Sequence, residues 1–337
     1  MDWVETLMSA GSRQTLAATL PPDCYSCLLD EPPLHLIPQP ASRALQVQVD
    51  SSDLFLNPGC VLTPATELPK ELSDRPDLVS GFVLQGTIAW VQDAVTASQL
   101  PFWLGPKMEG IVRSLSIDQP ASSTLRQETR ALLLAAGILR HKEKDPHRLR
   151  QREEAMGKAA TLFRENGYAP LADLIHPFHV AALRRYYRRL IRTGQIRLGD
   201  RQSPRRYAAY NDPVARFFHH QIAKTLSLVA GESLRPSYVY AASYLSGAEL
   251  EKHIDRAQCE FSVTLCLDFS PEPALATPWP IHLDTRRGTV TVYQALGDGL
   301  AYRGTRLPHF RDALAEGQTS TSIFFHYVGE AFTDSLD

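Results

Sequence analysis

The chain has 337 residues and a formal net charge of −2, with 44% hydrophobic and 21% charged residues. This composition is typical of a globular protein of about two domains, and the small net charge does not indicate a nucleic-acid partner. No apolar run reaches the ~18 residues that a membrane span requires. The N-terminus is acidic and lacks a following apolar segment, so no signal peptide is predicted and the expected location is the cytoplasm.

The five cysteines, an odd number, do not predict a disulfide framework. Cys24 and Cys27 form one C-x-x-C pair after two prolines, with no second pair nearby. Two thiols in a loop are favoured over a zinc or redox site at that pair. Cys259 and Cys266 are predicted to be packing residues or pocket wall.

Residues 1–140 are predicted to form a smaller α/β domain. Alternating apolar and polar residues predict a half-buried strand over 44–50, and Asn57-Pro58-Gly59 predicts a turn. Strands are predicted over 81–84 and 87–91, and helices over 107–115 and 123–136, the second ending at Gly137. In pattern this order is similar to winged-helix-like leader-peptide recognition domains, which implies a docked peptide. A structural cap on the next domain remains the alternative.

Residues 141–158 mix both charges densely and contain almost no apolar residues. The segment is predicted to be a solvated linker or a polar helix between the two domains. The second domain, 159–337, then begins with two helices that support a barrel.

Both helices show one apolar stripe. The helix over 180–192 has an apolar face, and its opposite face carries arginines that are predicted to be solvated, namely Arg184, Arg185, Arg188, Arg189 and Arg192. The second helix spans 213–230, with Asn211 or Asp212 as its cap and Gly231 at its end. His219 and His220 are interpreted as structural.

Short β-rich segments follow without helices between them. They lie at 236–240, 261–267, 288–293, 300–304 and 321–328, with a turn at 297–299. Many short strands of this kind favour a double-stranded β-helix, or jelly roll. The predicted fold class is therefore α+β.

His253 and Asp255 lie two positions apart, so on an extended segment both side chains share one face. With His309 they make two imidazoles and a carboxylate, a ligand set that leaves open positions on a ferrous ion. His282 and Asp284 are a rival pair, which lacks the sequence context described next. His326 is interpreted as a hydrogen-bonded core histidine.

This context resembles the iron(II)- and 2-oxoglutarate-dependent dioxygenases of the prolyl-4-hydroxylase-like branch, over about residues 157–332. The family spacing of Tyr, Gly and the His-x-Asp pair is matched by Tyr244, Gly247, His253 and Asp255. The Gly-Asp turn before the distal histidine and the glycine after it are matched by a further set: Gly297, Asp298, His309 and Gly317.

The resemblance implies that His253, Asp255 and His309 bind Fe(II), and that 2-oxoglutarate and O2 are consumed with release of succinate and CO2. The family places a Lys or Arg nine to eleven residues after the distal histidine, where this chain has Gln318, Thr319 and Ser320. Arg311 is therefore the first candidate to hold the distal carboxylate of 2-oxoglutarate, with Arg303 and Arg256 in reserve.

Tyr238, Tyr240 and Tyr244 alternate on one strand face and are candidates to bind the cosubstrate or to pack in the core. Arg256 is also expected to hydrogen-bond Asp255. The resemblance implies that a carboxylate at Asp255 favours hydroxylation, or desaturation, over halogenation.

Three functions stay open on these residues. The first is hydroxylation of an unactivated C–H bond, in an amino-acid residue of a peptide or protein or in a small natural-product intermediate. The second is a catalytically inactive jelly roll that binds a peptide. The third is a cupin-like metalloenzyme that does not use 2-oxoglutarate.

Overall fold

The computed structural model describes residues 24–46, 53–69, 76–142, 145–200 and 203–336. These ranges contain helices and antiparallel sheets, in agreement with the predicted α+β class. No helix within them combines the length and the apolar character needed to cross a bilayer.

The N-terminal elements are short. Their bounds are α1 Gln39–Ala44, β1 Leu54–Leu56, β2 Cys60–Pro64, α2 Pro76–Val79, β3 Thr87–Gln92, β4 Gln99–Leu104, α3 Pro106–Arg113, α4 Gln127–Ala135 and β5 Leu139–His141. Strands β2, β3 and β4 form one antiparallel sheet, and β1 pairs with β5. Helix α4 ends before Gly137, whose φ of 74° is the left-handed conformation that glycine adopts at a helix end. The winged-helix-like assignment of this region stays a prediction.

Two predicted strands of this region differ from the structure. The predicted strand over 44–50 is wrong at 44–46, since Ala44 is the last residue of α1 and residues 45–46 form a turn. A proline in the first turn of α1 favours the start of a helix there. Residues 47–50 lie outside the described residues, so that part stays a prediction. The predicted strand over 81–84 is wrong, because only Phe82 forms a bridge there, to Tyr25. The strand that follows β3 in the chain and pairs with it is β4. Its Pro101 has no N–H to donate, which makes that strand hard to recognise from sequence.

The middle of the chain is mostly helical. It contains α5 Asp145–Asn166, β6 Tyr168–Leu171, α6 Pro177–Arg192, β7 Arg206–Tyr210 and α7 Pro213–Ala230. Residues 145–158 of the charged segment form the first part of α5, as the polar-helix alternative predicts, while His141 ends β5. Helix α7 begins as predicted, because Oδ1 of Asp212 accepts the N–H groups of Val214 and Ala215.

Helix α6 buries its apolar stripe, but one of its arginines is not solvated. Arg184 is 1% exposed and donates to Asp268, to Glu272 and to the carbonyl oxygen of Leu36. A buried guanidinium is tolerated here because its donors meet two carboxylates and a carbonyl. The prediction of a fully solvated arginine face is therefore wrong at Arg184.

The C-terminal strands form the predicted jelly roll. Their bounds are β8 Leu234–Tyr244, β9 Leu250–His253, β10 Phe261–Ser270, β11 Ile281–Thr285, β12 Gly288–Val292, β13 Gly299–Tyr302, β14 His309–Arg311 and β15 Thr319–Gly329. One sheet has the order β6-β13-β10-β15-β8-β7 and the other the order β12-β11-β14-β9. From β8 to β15 the chain passes back and forth between the two sheets, except at the hairpin of β11 and β12, in the manner of a double-stranded β-helix.

The apolar core is continuous from the N-terminal sheet to the barrel. An aromatic cluster of the N-terminal region, made of Tyr25, Phe82 and Trp103, packs against Phe217 and Phe218 of α7. Helix α7 also contacts β8 of the barrel. The outer face of β10 contributes Val263, Leu265 and Leu267 to the same cluster. The barrel is therefore supported on this face by a packed layer, while its inner face remains available for polar side chains. The division at 140 and 159 stays a prediction.

Candidate metal centre

The three predicted metal ligands lie at one end of the four-stranded sheet. His253 ends β9, Asp255 follows it, and His309 begins β14. Strands β9 and β14 are antiparallel neighbours, and His309 pairs directly with His253. The strand register therefore brings the two imidazoles side by side, with ring centroids 4.4 Å apart.

Asp255 completes the group. Its Oδ1 lies 3.7 Å from Nε2 of His253 and 3.6 Å from Nε2 of His309. One ligand atom from each of the three side chains falls within 4.8 Å of the other two. Separations of this size leave room for one metal ion bound to all three side chains, since such ligands lie ~2.0–2.2 Å from a first-row metal ion.

The two imidazoles are oriented by backbone carbonyls. Nδ1 of His253 is 2.7 Å from the carbonyl oxygen of Glu251, and Nδ1 of His309 is 3.0 Å from that of Leu307. A carbonyl oxygen only accepts, so each Nδ1 carries a proton and each Nε2, which faces Asp255, is the nitrogen that can bind a metal. Burial lowers the pKa of His309, although Asp255 acts in the opposite direction. His309 is therefore neutral near pH 7, as a metal ligand must be.

The second oxygen of Asp255 is held away from the imidazoles. Oδ2 accepts a 2.8 Å hydrogen bond from Oγ of Ser262, and the Asp255 N–H donates to the Gly304 carbonyl at 2.9 Å. A Cβ on Gly304 would overlap Oδ2 of Asp255 and the Cys259 carbonyl, and would lie 2.7 Å from Oγ of Ser262. These contacts point Oδ1 at the metal position.

The expectation that Arg256 hydrogen-bonds Asp255 is wrong. Its guanidinium turns away to the ring of Tyr238, 4.2 Å from the centroid, and donates to the hydroxyls of Tyr238 and Tyr210. Ser262 takes the expected position beside the carboxylate. Sequence analysis missed Ser262 and Gly304, because nothing in a β-rich segment or a turn distinguishes them from their neighbours.

Tyr302 is a further residue that sequence analysis missed. Its hydroxyl lies 3.5 Å from Nε2 of His309 and 3.4 Å from Oγ1 of Thr264. Burial, followed by the charge of Asp255, raises the pKa of Tyr302 well above its usual value, so the phenol keeps its proton. A neutral hydrogen-bond donor therefore lies next to the metal-facing nitrogen.

Arg311 is a buried cation on the strand that carries His309. It is 6% exposed, donates to the carbonyl oxygen of Trp279 at 2.6 Å, and lies 4.7 Å from the ring centroid of that tryptophan. Within the described ranges no carboxylate lies within ion-pair distance of Arg311. Burying a guanidinium without a carboxylate partner is costly, and burial lowers the pKa of Arg311. Such a residue fits the binding of an anionic ligand.

Of the other residues predicted to bind the cosubstrate, Tyr244 lies on the same side as Arg311, whereas Tyr240 and Arg303 contact other residues. Tyr244 is buried against Trp279, with ring centroids 5.2 Å apart, on the same side as Arg311. The hydroxyl of Tyr240 instead donates to Asp200 at 3.0 Å. The guanidinium of Arg303 lies against the rings of Phe163 and Phe261, at 5.3 and 5.0 Å, and no described contact joins it to the three metal-ligand candidates.

The rival pair does not converge. Nδ1 of His282 contacts Thr291, and its Nε2 lies 3.3 Å from Asp312, whereas Asp284 forms an ion pair with Lys252. Among the described residues, the groups with metal-ligand spacing do not include His282 or Asp284.

Comparison with known proteins gives matches among solved structures. No protein-family model matches the chain, and a search of curated proteins returns no significant match. The epimerase SnoN from nogalamycin biosynthesis, described as non-heme and alpha-ketoglutarate dependent, is similar over 52% of this chain and 83% of its own, with 16% identity and a TM-score of 0.44. A Pseudomonas putida prolyl-4-hydroxylase is similar over 52% of this chain and 100% of its own, with 14% identity and a TM-score of 0.43.

A prolyl hydroxylase from Trichoplax adhaerens, solved with a hypoxia-inducible-factor peptide, covers 54% of this chain and 93% of its own, with 13% identity and a TM-score of 0.45. The overlap is partial and the identity low, so the functional proposal rests on the side chains of this chain.

Proposed function

We propose that the protein is an iron(II)- and 2-oxoglutarate-dependent oxygenase that hydroxylates an unactivated C–H bond. The observation that carries the proposal is that Nε2 of His253 and Nε2 of His309 face the same oxygen of Asp255, at 3.7 and 3.6 Å. Two imidazoles and one carboxylate on one side of a metal ion are the facial ligand set of such oxygenases.

His253, Asp255 and His309 would hold the iron. When bound, iron and 2-oxoglutarate together supply the oxidising chemistry, in which O2 and the oxo acid yield succinate, CO2 and a hydroxylated product. The protein itself supplies position. Glu251 and Leu307 carbonyls fix the imidazole orientations, while Ser262 and Gly304 fix the carboxylate.

Arg311 would bind the distal carboxylate of 2-oxoglutarate. It is buried, lies two residues from His309 on β14, and has no carboxylate partner within the described part of the chain. A planar guanidinium can pair with a carboxylate through two hydrogen bonds. Tyr244, buried on the same side, is the second residue that we assign to cosubstrate binding.

The substrate would meet the metal centre at an exposed rim. Of the three candidate ligands His253 is the most exposed, with 39% of its side chain accessible against 12% for Asp255 and 3% for His309, so the open side of the centre lies at His253. The substrate class that we propose there is an amino-acid residue of a peptide or protein, or a natural-product intermediate.

The test is a spectroscopic titration without oxygen. Fe(II) and 2-oxoglutarate added to the wild-type protein should give a weak visible charge-transfer band, because the oxo acid chelates the iron. The band should be lost in His309→Ala and kept in His282→Ala, a matched histidine on a neighbouring strand. A wild-type protein that binds both molecules without the band, or binds neither, would contradict the proposal.

A further inference from the structure

A second group of ligand-type side chains shares Asp255 with the candidate iron centre. Ligand atoms of Asp255, Cys259 and His326 lie within 4.8 Å of one another. Cys259 is 1% exposed and His326 is 6% exposed. From this arrangement we propose a second metal site, formed by Asp255, Cys259 and His326, that binds a soft divalent cation such as Zn(II).

The donor atoms define the type of cation. A thiolate, an imidazole and a carboxylate match the sulfur, nitrogen and oxygen ligands of zinc, whereas Mg(II) and Ca(II) require oxygen ligands. The hydroxyl of Tyr238 lies 3.1 Å from Sγ of Cys259 and can donate to the sulfur when it is ionised. The three side chains thus offer a site that differs in ligand chemistry from the candidate iron centre.

Packed secondary structure holds the two additional ligands near Asp255. Cys259 ends the short 3-10 turn Ala257–Cys259, which begins just after Asp255, and its N–H donates to the Arg256 carbonyl at 2.9 Å. His326 lies on β15 and pairs across the sheet with Ser262 of β10. Its ring also packs on the ring of Tyr238, with centroids 4.5 Å apart. The site therefore requires only side-chain adjustment to close on a cation.

Ser262 links the two sites. Its Oγ contacts Oδ2 of Asp255 at 2.8 Å and Nδ1 of His326 at 2.9 Å. A cation bound by Cys259 and His326 would also bind the Asp255 carboxylate, which is a candidate ligand of the iron. It would disturb the Ser262 contacts that orient this carboxylate. Occupancy of the second site should therefore weaken iron binding, which gives the site a regulatory, inhibitory role.

Cobalt(II) is a direct probe, because it replaces zinc and gives an intense near-ultraviolet band only when a thiolate binds it. The reduced, metal-free full-length protein is titrated with Co(II) alone. We expect the thiolate band in the wild type and in His253→Ala, which removes a ligand of the iron centre only. We expect the band to be lost in Cys259→Ser and kept in Cys266→Ser and Cys24→Ser.

Absence of the band in the wild type would overturn the proposal without the use of any variant. Persistence of the band in Cys259→Ser, with loss in Cys24→Ser, would also overturn it and would assign the thiolate to the C-x-x-C pair. Because His253→Ala separates the two sites, failure of the iron centre and failure of this site give different results.

The link between the sites has its own measurement. Zn(II) is titrated into the anaerobic complex with Fe(II) and 2-oxoglutarate, and loss of the visible band is recorded. The Zn(II) concentration for half loss should be about tenfold higher in Cys259→Ser than in the wild type, the size of effect expected for metal-site ligands. Equal concentrations in the two proteins would show that the second site does not act on the iron.

Discussion

Nε2 of His309 lies 3.6 Å from Oδ1 of Asp255, although 54 positions separate the two residues in the chain. The distance is set by the pairing of β14 with β9, in which His309 faces His253. A shift of that register by one residue would turn His309 to the other side of the sheet. The candidate metal centre is therefore a property of strand pairing as much as of ligand identity.

Replacement of Arg311 should separate binding of the cosubstrate from binding of iron. Arg311→Gln should weaken 2-oxoglutarate binding by about 1.5–3 kcal/mol, the range for hydrogen bonds to charged groups, while the Fe(II) affinity stays unchanged. The measurement is an anaerobic titration of the Fe(II) protein with 2-oxoglutarate. Arg303→Gln is the control and should leave the dissociation constant unchanged. An unaltered constant in Arg311→Gln would remove Arg311 from this role.

A methyl group at Gly304 should disturb the metal centre by steric overlap, although none of the candidate metal ligands is itself replaced. In Gly304→Ala the new Cβ would overlap Oδ2 of Asp255, so the carboxylate must move and the Fe(II) affinity should fall by about tenfold or more. Gly110→Ala is the matched control, because a Cβ at Gly110 meets no atom within 4 Å. The control lies within α3 and should be more stable by about 0.5–1 kcal/mol. Equal iron affinity in the two variants would contradict this steric account of Asp255.

Loss of the buried guanidinium on α6 should destabilise the fold. Arg184→Met leaves Glu272 without its arginine and Asp268 with Arg188 alone, and about 3 kcal/mol of unfolding free energy should be lost. Urea denaturation followed by circular dichroism measures the change. Arg192→Ala, at an exposed position of the same helix, should change stability by no more than about 0.5 kcal/mol. A similarly small effect in both variants would mean that the buried network contributes little.

The metal-free protein should lose stability in mild acid. Burial lowers the pKa of His326 to about 4 from the ordinary value of 6.5, so between these pH values the unfolded chain binds a proton that the folded chain does not. The contribution of His326 is complete above pH 6.5 and is lost as the pH falls toward about 4, by up to about 3 kcal/mol.

The check is the unfolding free energy of wild-type and His326→Gln proteins at several pH values between 4 and 7. The variant should have the flatter pH dependence, since it lacks this proton. His179 and His309, whose pKa values are also lowered by burial, should leave a residual slope of the same sign in both proteins. Parallel curves would show that His326 does not contribute to the acid sensitivity.

The sequence by itself predicted the candidate ligand set and much of the barrel. A two-residue spacing on an extended segment places the side chains of His253 and Asp255 on one face, and His309 was added by the resemblance to the iron(II)- and 2-oxoglutarate-dependent dioxygenases. The barrel could be predicted because its β-rich segments are regular enough to recognise. Helix α7 was predicted over 213–230, the bounds that the structure gives, since a cap, a proline and a glycine mark its ends.

Only the tertiary structure decided which groups act on those ligands. Ser262 replaced Arg256 beside Asp255, and Tyr302 came within 3.5 Å of His309, through strand pairings that no local pattern specifies. Arg184 and Arg311 are both buried, but Arg184 pairs with two carboxylates, whereas Arg311 has no carboxylate partner in the described ranges. Local spacing fixes which side chains share a face, whereas long-range pairing and burial fix what each of them meets.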